Sequence, residues 1–199
     1  MRQRDLGLMG LGLALVLAAT PARGEIVLTA VQDASGVIIS GSGSADTTDL
    51  SLLLTTTSPS GVYPGAGSLL TGPAGVDLDI DAYTGLATGP ATLGGGDATA
   101  STSGSGDAFG AAVEFGISLL ILPAGYTSLD PLQGTATIAG ATFASLGLTP
   151  GTYTWTWGSG DHADSMVLTV VPEPSSLALA AIGVGCGLWT ARRRRARAV

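Results

Sequence analysis

His162 is the only histidine of the 199-residue chain, and Gly160-Asp161-His162-Ala163-Asp164 sets it between two carboxylates with serines nearby. An imidazole beside a carboxylate and a hydroxyl is the material of a Ser-His-Asp site, in which the ring takes the nucleophile's proton and the acid orients the ring. No nucleophile elbow accompanies it, and a glycine-rich stretch with one histidine is ordinarily an exposed turn. No catalytic residue is therefore expected, and the chain is expected not to be an enzyme. Asp77, Asp79 and Asp81 alternate in VDLDIDAY, so a strand would line them along one face, where oxygen ligands could collect calcium. An EF-hand does not fit, because Ala82 and Thr88 stand where that loop needs glycine and a bidentate glutamate. The ordinary role of such a row is a charged face that blocks edge-to-edge pairing. That role is the expectation, with no metal and no cofactor.

Tyr153, Trp155 and Trp157 alternate with Thr152, Thr154 and Thr156. On a strand the aromatics share one face and the threonines the other. Exposed indoles at Trp155 and Trp157 would make a sugar-binding platform, whereas buried ones would be the core of a sandwich. The Thr-x-Thr row invites an ice-binding reading, but it is short and unrepeated, so a plain solvent face is expected.

The elements that must position these residues are strands. Alternating apolar residues, broken by Gly, Pro, Ser and Thr about every ten positions, predict an all-β, antiparallel β-sandwich. Strands are expected near 26–32, 36–44, 49–56, 76–83, 111–122, 134–139, 152–158 and 164–171. VEFGISLLILPAG, Val113 to Gly125, is the most apolar stretch after the leader and is read as one central strand, the one expected near 111–122. The span 94–110, GGGDATASTSGSGDAFG, is expected to be a mobile loop or a weakly held edge. Thr149-Pro150-Gly151 is a tight turn that puts Tyr153 where a tyrosine corner would place it, with its hydroxyl bonded back to the main chain.

All eight basic residues are arginine and lie at the ends, and none occurs from Gly24 to Ala191, where 14 of the 15 acidic residues fall. Such a charge repels phosphate backbones, so no nucleic-acid partner is expected. It also leaves His162 as the sole side chain in that interval able to supply the positive charge of an ion pair. The single cysteine, Cys186, lies outside the strands, so no disulfide staples them. Asparagine is absent, and with it any Asn-linked glycan acceptor.

Arg2 and Arg4, an uncharged run from Leu6 to Ala19 and the Thr20-Pro21 break predict a signal peptide over 1–24, read by the Sec translocon, with cleavage after Ala22 or Gly24. A sandwich domain is expected over 25–170. Beyond it stands VPEPSSLALAAIGVGCGLWTARRRRARAV, residues 171–199. Two prolines, then an apolar stretch at 176–191 just long enough to span a bilayer, then arginines, predict a transmembrane helix with a cytoplasmic basic tail.

This order of elements resembles the PEP-CTERM sorting signal of Gram-negative bacteria. The resemblance implies that Val171, Pro172, Glu173 and Pro174, with Arg192, Arg193, Arg194 and Arg195, form a sorting motif. It further implies that an exosortase-type membrane protease handles the protein while the tail holds it transiently in the inner membrane. The destination would be the cell envelope or the extracellular matrix, with exopolysaccharide as a candidate neighbour. FASLGLTPGTYTWTWGSG (143–160), with SGSGSAD (40–46), LLTGPAG (69–75), YTGL (83–86), SGSGDAFG (103–110) and LPAGY (122–126), is similar to phrases upstream of that signal in other such proteins. The expected function is that of an exported, non-enzymatic matrix or envelope protein, the alternative being a carbohydrate-binding or ice-binding module.

Overall fold

The computed structural model describes residues 24–171, which form two seven-stranded sheets packed around one core. The first sheet contains, in spatial order, β7 (Leu86–Thr88), β13 (Gly151–Trp157), β14 (Asp164–Val171), β1 (Glu25–Asp33), β2 (Gly36–Ser44), β12 (Leu132–Ala139) and β9 (Ser103–Gly106). The second contains β3 (Ser51–Ser58), β6 (Leu78–Thr84), β11 (Ile117–Pro123), β10 (Gly110–Glu114), β5 (Ser68–Leu70), β4 (Gly61–Tyr63) and β8 (Thr99–Ala100). The expected signal helix and the transmembrane helix over 176–191 lie outside the described residues. Among the described residues no helix is long and apolar enough to cross a membrane.

Alternation builds the core. Ile26, Leu28 and Ala30 of β1, Met166, Leu168 and Val170 of β14, and Trp155 and Trp157 of β13 meet Val62, Leu69, Ala111, Leu120 and Leu122 of the facing sheet. Each buried aliphatic side chain contributes roughly 1.5–3 kcal/mol over its exposed state. That apolar burial replaces the ion pairs the composition forbids. The expected β-sandwich is present, with two differences. β1 and β14 pair in parallel, so the sandwich is not wholly antiparallel. Periodicity reports which way side chains point and is blind to the direction of the neighbouring strand.

The expected single strand over 111–122 is a hairpin of β10 and β11, turning at Phe115 and Gly116, both at positive φ. Two left-handed residues make the tight connection that matches strand twist, and glycine serves the second of them. The apolar run continues through this turn, which hides it from a hydropathy pattern. Five strands of two to four residues (β4, β5, β7, β8 and β9) have no periodic signature of their own. The glycine-rich span 94–110 supplies an edge to each sheet, β8 and β9, in line with the edge half of its expectation. α1 (Phe143–Leu146) is a single helical turn, with Thr142 and Ser145 bonding reciprocally as a capping box.

Candidate functional site

The aromatic row is inside. β13 follows the Pro150-Gly151 turn, pairs with β14 from Gly151↔Val170 to Trp157↔Asp164, and thereby turns Trp155 and Trp157 into the core at 0% and 1% exposure. A ring without an accessible face cannot stack on a sugar, so the carbohydrate platform is overturned. Trp157 Nε1 donates to the Asp46 carbonyl at 2.8 Å, whereas Trp155 Nε1 is buried without a partner. The Tyr153 hydroxyl donates to the carbonyls of Thr149 (2.8 Å) and Leu93 (3.2 Å), the expected corner. On the other face Thr154 lies opposite Val167, and the Thr156 hydroxyl is engaged with that of Thr88 at 2.7 Å. Across the sheet Thr152, Thr169, Thr29, Ser40, Thr135 and Ser105 stand side by side in register, while Val167 and Val27 interrupt the next row.

The three aspartates do not assemble. Asp77 precedes β6, Asp79 is exposed, and Asp81 is buried, accepting the Thr55 hydroxyl at 2.5 Å and the Gly125 N–H at 2.9 Å. β6 lies between β3 and β11, so these residues guard no edge either. The row was misread because a register position says nothing about whether a strand is central. Among the described residues no group of three or more His, Cys, Asp or Glu side chains is placed to hold a metal ion.

His162 does find a carboxylate, but not one of its sequence neighbours. Its Nδ1 lies 2.8 Å from Asp46 Oδ2, the sole ion pair among the described residues. The other Asp46 oxygen accepts the Thr48 N–H (2.9 Å), the Thr48 hydroxyl (2.6 Å) and the Ser128 hydroxyl (3.3 Å). The Thr48 hydroxyl first, then the His162 ring and the Thr48 N–H, hold the Asp46 carboxyl down at about 2 against the effect of burial. The hydrogen bond to Asp46 raises the His162 pKa in turn. The Asp46 N–H donates to Asp164 Oδ2 at 2.7 Å, and burial pushes the Asp164 carboxyl up.

The Ala45 N–H donates to the Tyr126 hydroxyl at 2.9 Å, and that hydroxyl donates onward to the Asp130 carbonyl at 2.5 Å. Residues 45–48 are thus stitched to the loops that follow β11 and β13. Ser128 spends its hydroxyl on Asp46 and the imidazole is half exposed, an arrangement that joins three loops and does not present a nucleophile to a base. Sequence reading missed Asp46, Tyr126 and Asp164 as partners. The phrases SGSGSAD, LPAGY and GSGDHAD, whose ends meet here, were the available signal.

A groove of about 680 Å³ crosses the outer face of the second sheet. Leu70, Ile80, Ala82, Leu119 and Ile121 form an apolar cluster there, on the side of the sheet opposite Leu120 and Leu122. Leu53 and Leu54 on β3 and Phe115 and Ile117 on the β10–β11 hairpin line its border and are exposed. The run SLLLTTTS carries no alternation, so sequence reading could not assign a face to it.

Of the expected sorting motif only Val171 is described; it ends β14 opposite Val31. Pro172, Glu173, Pro174 and Arg192 to Arg195 lie outside the described residues. No curated protein and no solved structure matches the chain. Residues 170–195 match the PEP-CTERM protein-sorting motif. A β-sandwich whose last strand runs directly into a PEP-CTERM protein-sorting motif is therefore what this chain carries.

Proposed function

We propose that the protein is exported through the Sec translocon, held in the inner membrane by its C-terminal segment, and released to the envelope or extracellular matrix when an exosortase-type protease cuts near Pro172-Glu173-Pro174. The sorting-motif match over residues 170–195 carries this reading. The junction supports it. Val170 is 2% exposed and paired within the sheet, so a cut beyond Val171 leaves every strand of the sandwich intact. In this reading the sandwich is a structural, non-enzymatic body. Its support is the inventory of side chains: from Gly24 to Val171 the sequence has no lysine, arginine or cysteine, and its one histidine is engaged by Asp46. The same inventory suits a hydrated, anionic polysaccharide matrix, in which an acidic surface stays dispersed.

The test is the intact mass of the protein recovered from the envelope and medium of cells expressing the full chain, beside that of Glu173→Ala. A C-terminus between Val171 and Pro174, with Glu173→Ala retained uncut in the inner membrane, is expected. Wild-type protein found solely in the inner membrane with Arg192 to Val199 attached would show a permanent anchor and overturn the proposal.

A further inference from the structure

The geometry points to self-association through β3: a second copy of this chain pairs its β3 antiparallel to the first, which joins the two sheets edge to edge and sets their apolar grooves side by side. β3 pairs with β6 along one side, and along the other it has no partner among the described residues. At eight residues it is the longest of the four edge strands, the others having three (β7), four (β9) and two (β8). Natural edges are guarded by lysine, proline, charge or bulges. β3 has no charge and no proline, and its one bulge, between Leu52 and Leu54, leaves Leu54 to Ser58 in regular register. Leu52, Leu53 and Leu54 are 54%, 53% and 43% exposed.

Charge selects the occupant. Thirteen of the fifteen acidic residues, all but Asp5 and Glu173, lie in 24–171, yet Glu114 alone of them lines the groove. A cationic partner would find its complement elsewhere on the molecule. What fits here is an uncharged, extended edge with leucines beside it, and β3 is itself such an edge, self-complementary about a two-fold axis. Because both copies are acidic, their association must strengthen when salt screens them.

The test is the molar mass of the full chain in detergent, corrected for bound detergent, at rising protein concentration. Raising salt from about 0.01 to about 1 M shortens the screening length from about 30 to about 3 Å and should increase the dimer fraction. Leu53→Lys and Leu54→Lys, at exposed positions, should each weaken dimerisation about tenfold or more, with thermal midpoints unchanged at concentrations where the wild type is monomeric. Amides of β3 directed away from β6 should be protected from hydrogen exchange at high wild-type concentration and not at low, a readout that needs no variant. A monomer at every concentration, including one whose groove is shielded by its own tail, would overturn the proposal. So would a dimer that both lysine variants leave intact, which would show association through another surface.

Discussion

Two tryptophans two residues apart are buried alike and are held differently. Trp157 supplies the one hydrogen bond given to the Asp46 carbonyl, while the Trp155 N–H has no partner. Replacing each by phenylalanine removes similar volume, but Trp157→Phe strands a buried acceptor, at a cost of about 1–3 kcal/mol, and Trp155→Phe removes an unmade donor. Chemical denaturation should therefore find Trp157→Phe the more destabilising by about that amount. Equal losses would mean that ring volume governs both sites.

The His162–Asp46 pair gives the stability a pH profile. His162 has a raised pKa in the folded state, so its contribution is complete below its ordinary value of 6.5 and is lost as pH rises through the raised one. Asp46 contributes above the ordinary carboxylate value of 3.8 and loses that contribution as pH falls toward about 2. The contribution of this pair is thus complete between about pH 4 and 6.5, while Asp164, whose pKa burial raises, acts in the opposite sense and loses its contribution as pH rises above 3.8. His162→Gln should flatten the alkaline limb of the thermal midpoint; a limb that stays as steep would assign it to another group.

At the scale of elements, the segment 142–153 is a clasp. α1 ends in Gly147, whose left-handed φ of 63° closes the turn, and the chain of 93–96 lies directly against it. A Cβ at Gly96 would overlap the Leu146 carbonyl, and one at Gly147 would press on the Gly96 backbone. The Thr149 N–H and the Tyr153 hydroxyl both donate to the Leu93 carbonyl, closing the clasp from the other side. Gly147→Ala combines backbone strain with backbone overlap and should cost about 2 kcal/mol or more, read as a shift of the denaturation midpoint.

Where side chains alternate over seven or more residues, as in β1, β2, β12, β13 and β14, sequence periodicity foretold the strands. It put Tyr153, Trp155 and Trp157 on one face and placed the Tyr153 corner, but left open whether that face is buried. It failed where strands are two to four residues long, where an apolar run concealed the Phe115-Gly116 turn, and wherever the answer depended on a neighbour distant in sequence. Asp46 and His162 are 116 residues apart, and no local pattern announces their meeting. The sorting motif was legible because its elements are local: two prolines, an apolar run and an arginine cluster.

For the molecule as a whole, the first and last strands are neighbours that run the same way, in register from Glu25↔Ser165 to Val31↔Val171. The domain therefore receives its N-terminal connection at one pole and passes on its C-terminal connection at the other. The pole that holds Asp46, His162 and Asp164 is the one remote from Val171. Tension between the two ends draws β1 and β14 past each other along their common axis, so the bonds between them bear the load together. A hairpin pulled apart at its open end loses its bonds one at a time. The arrangement makes this central pair a shear clamp against force applied between residues 24 and 171.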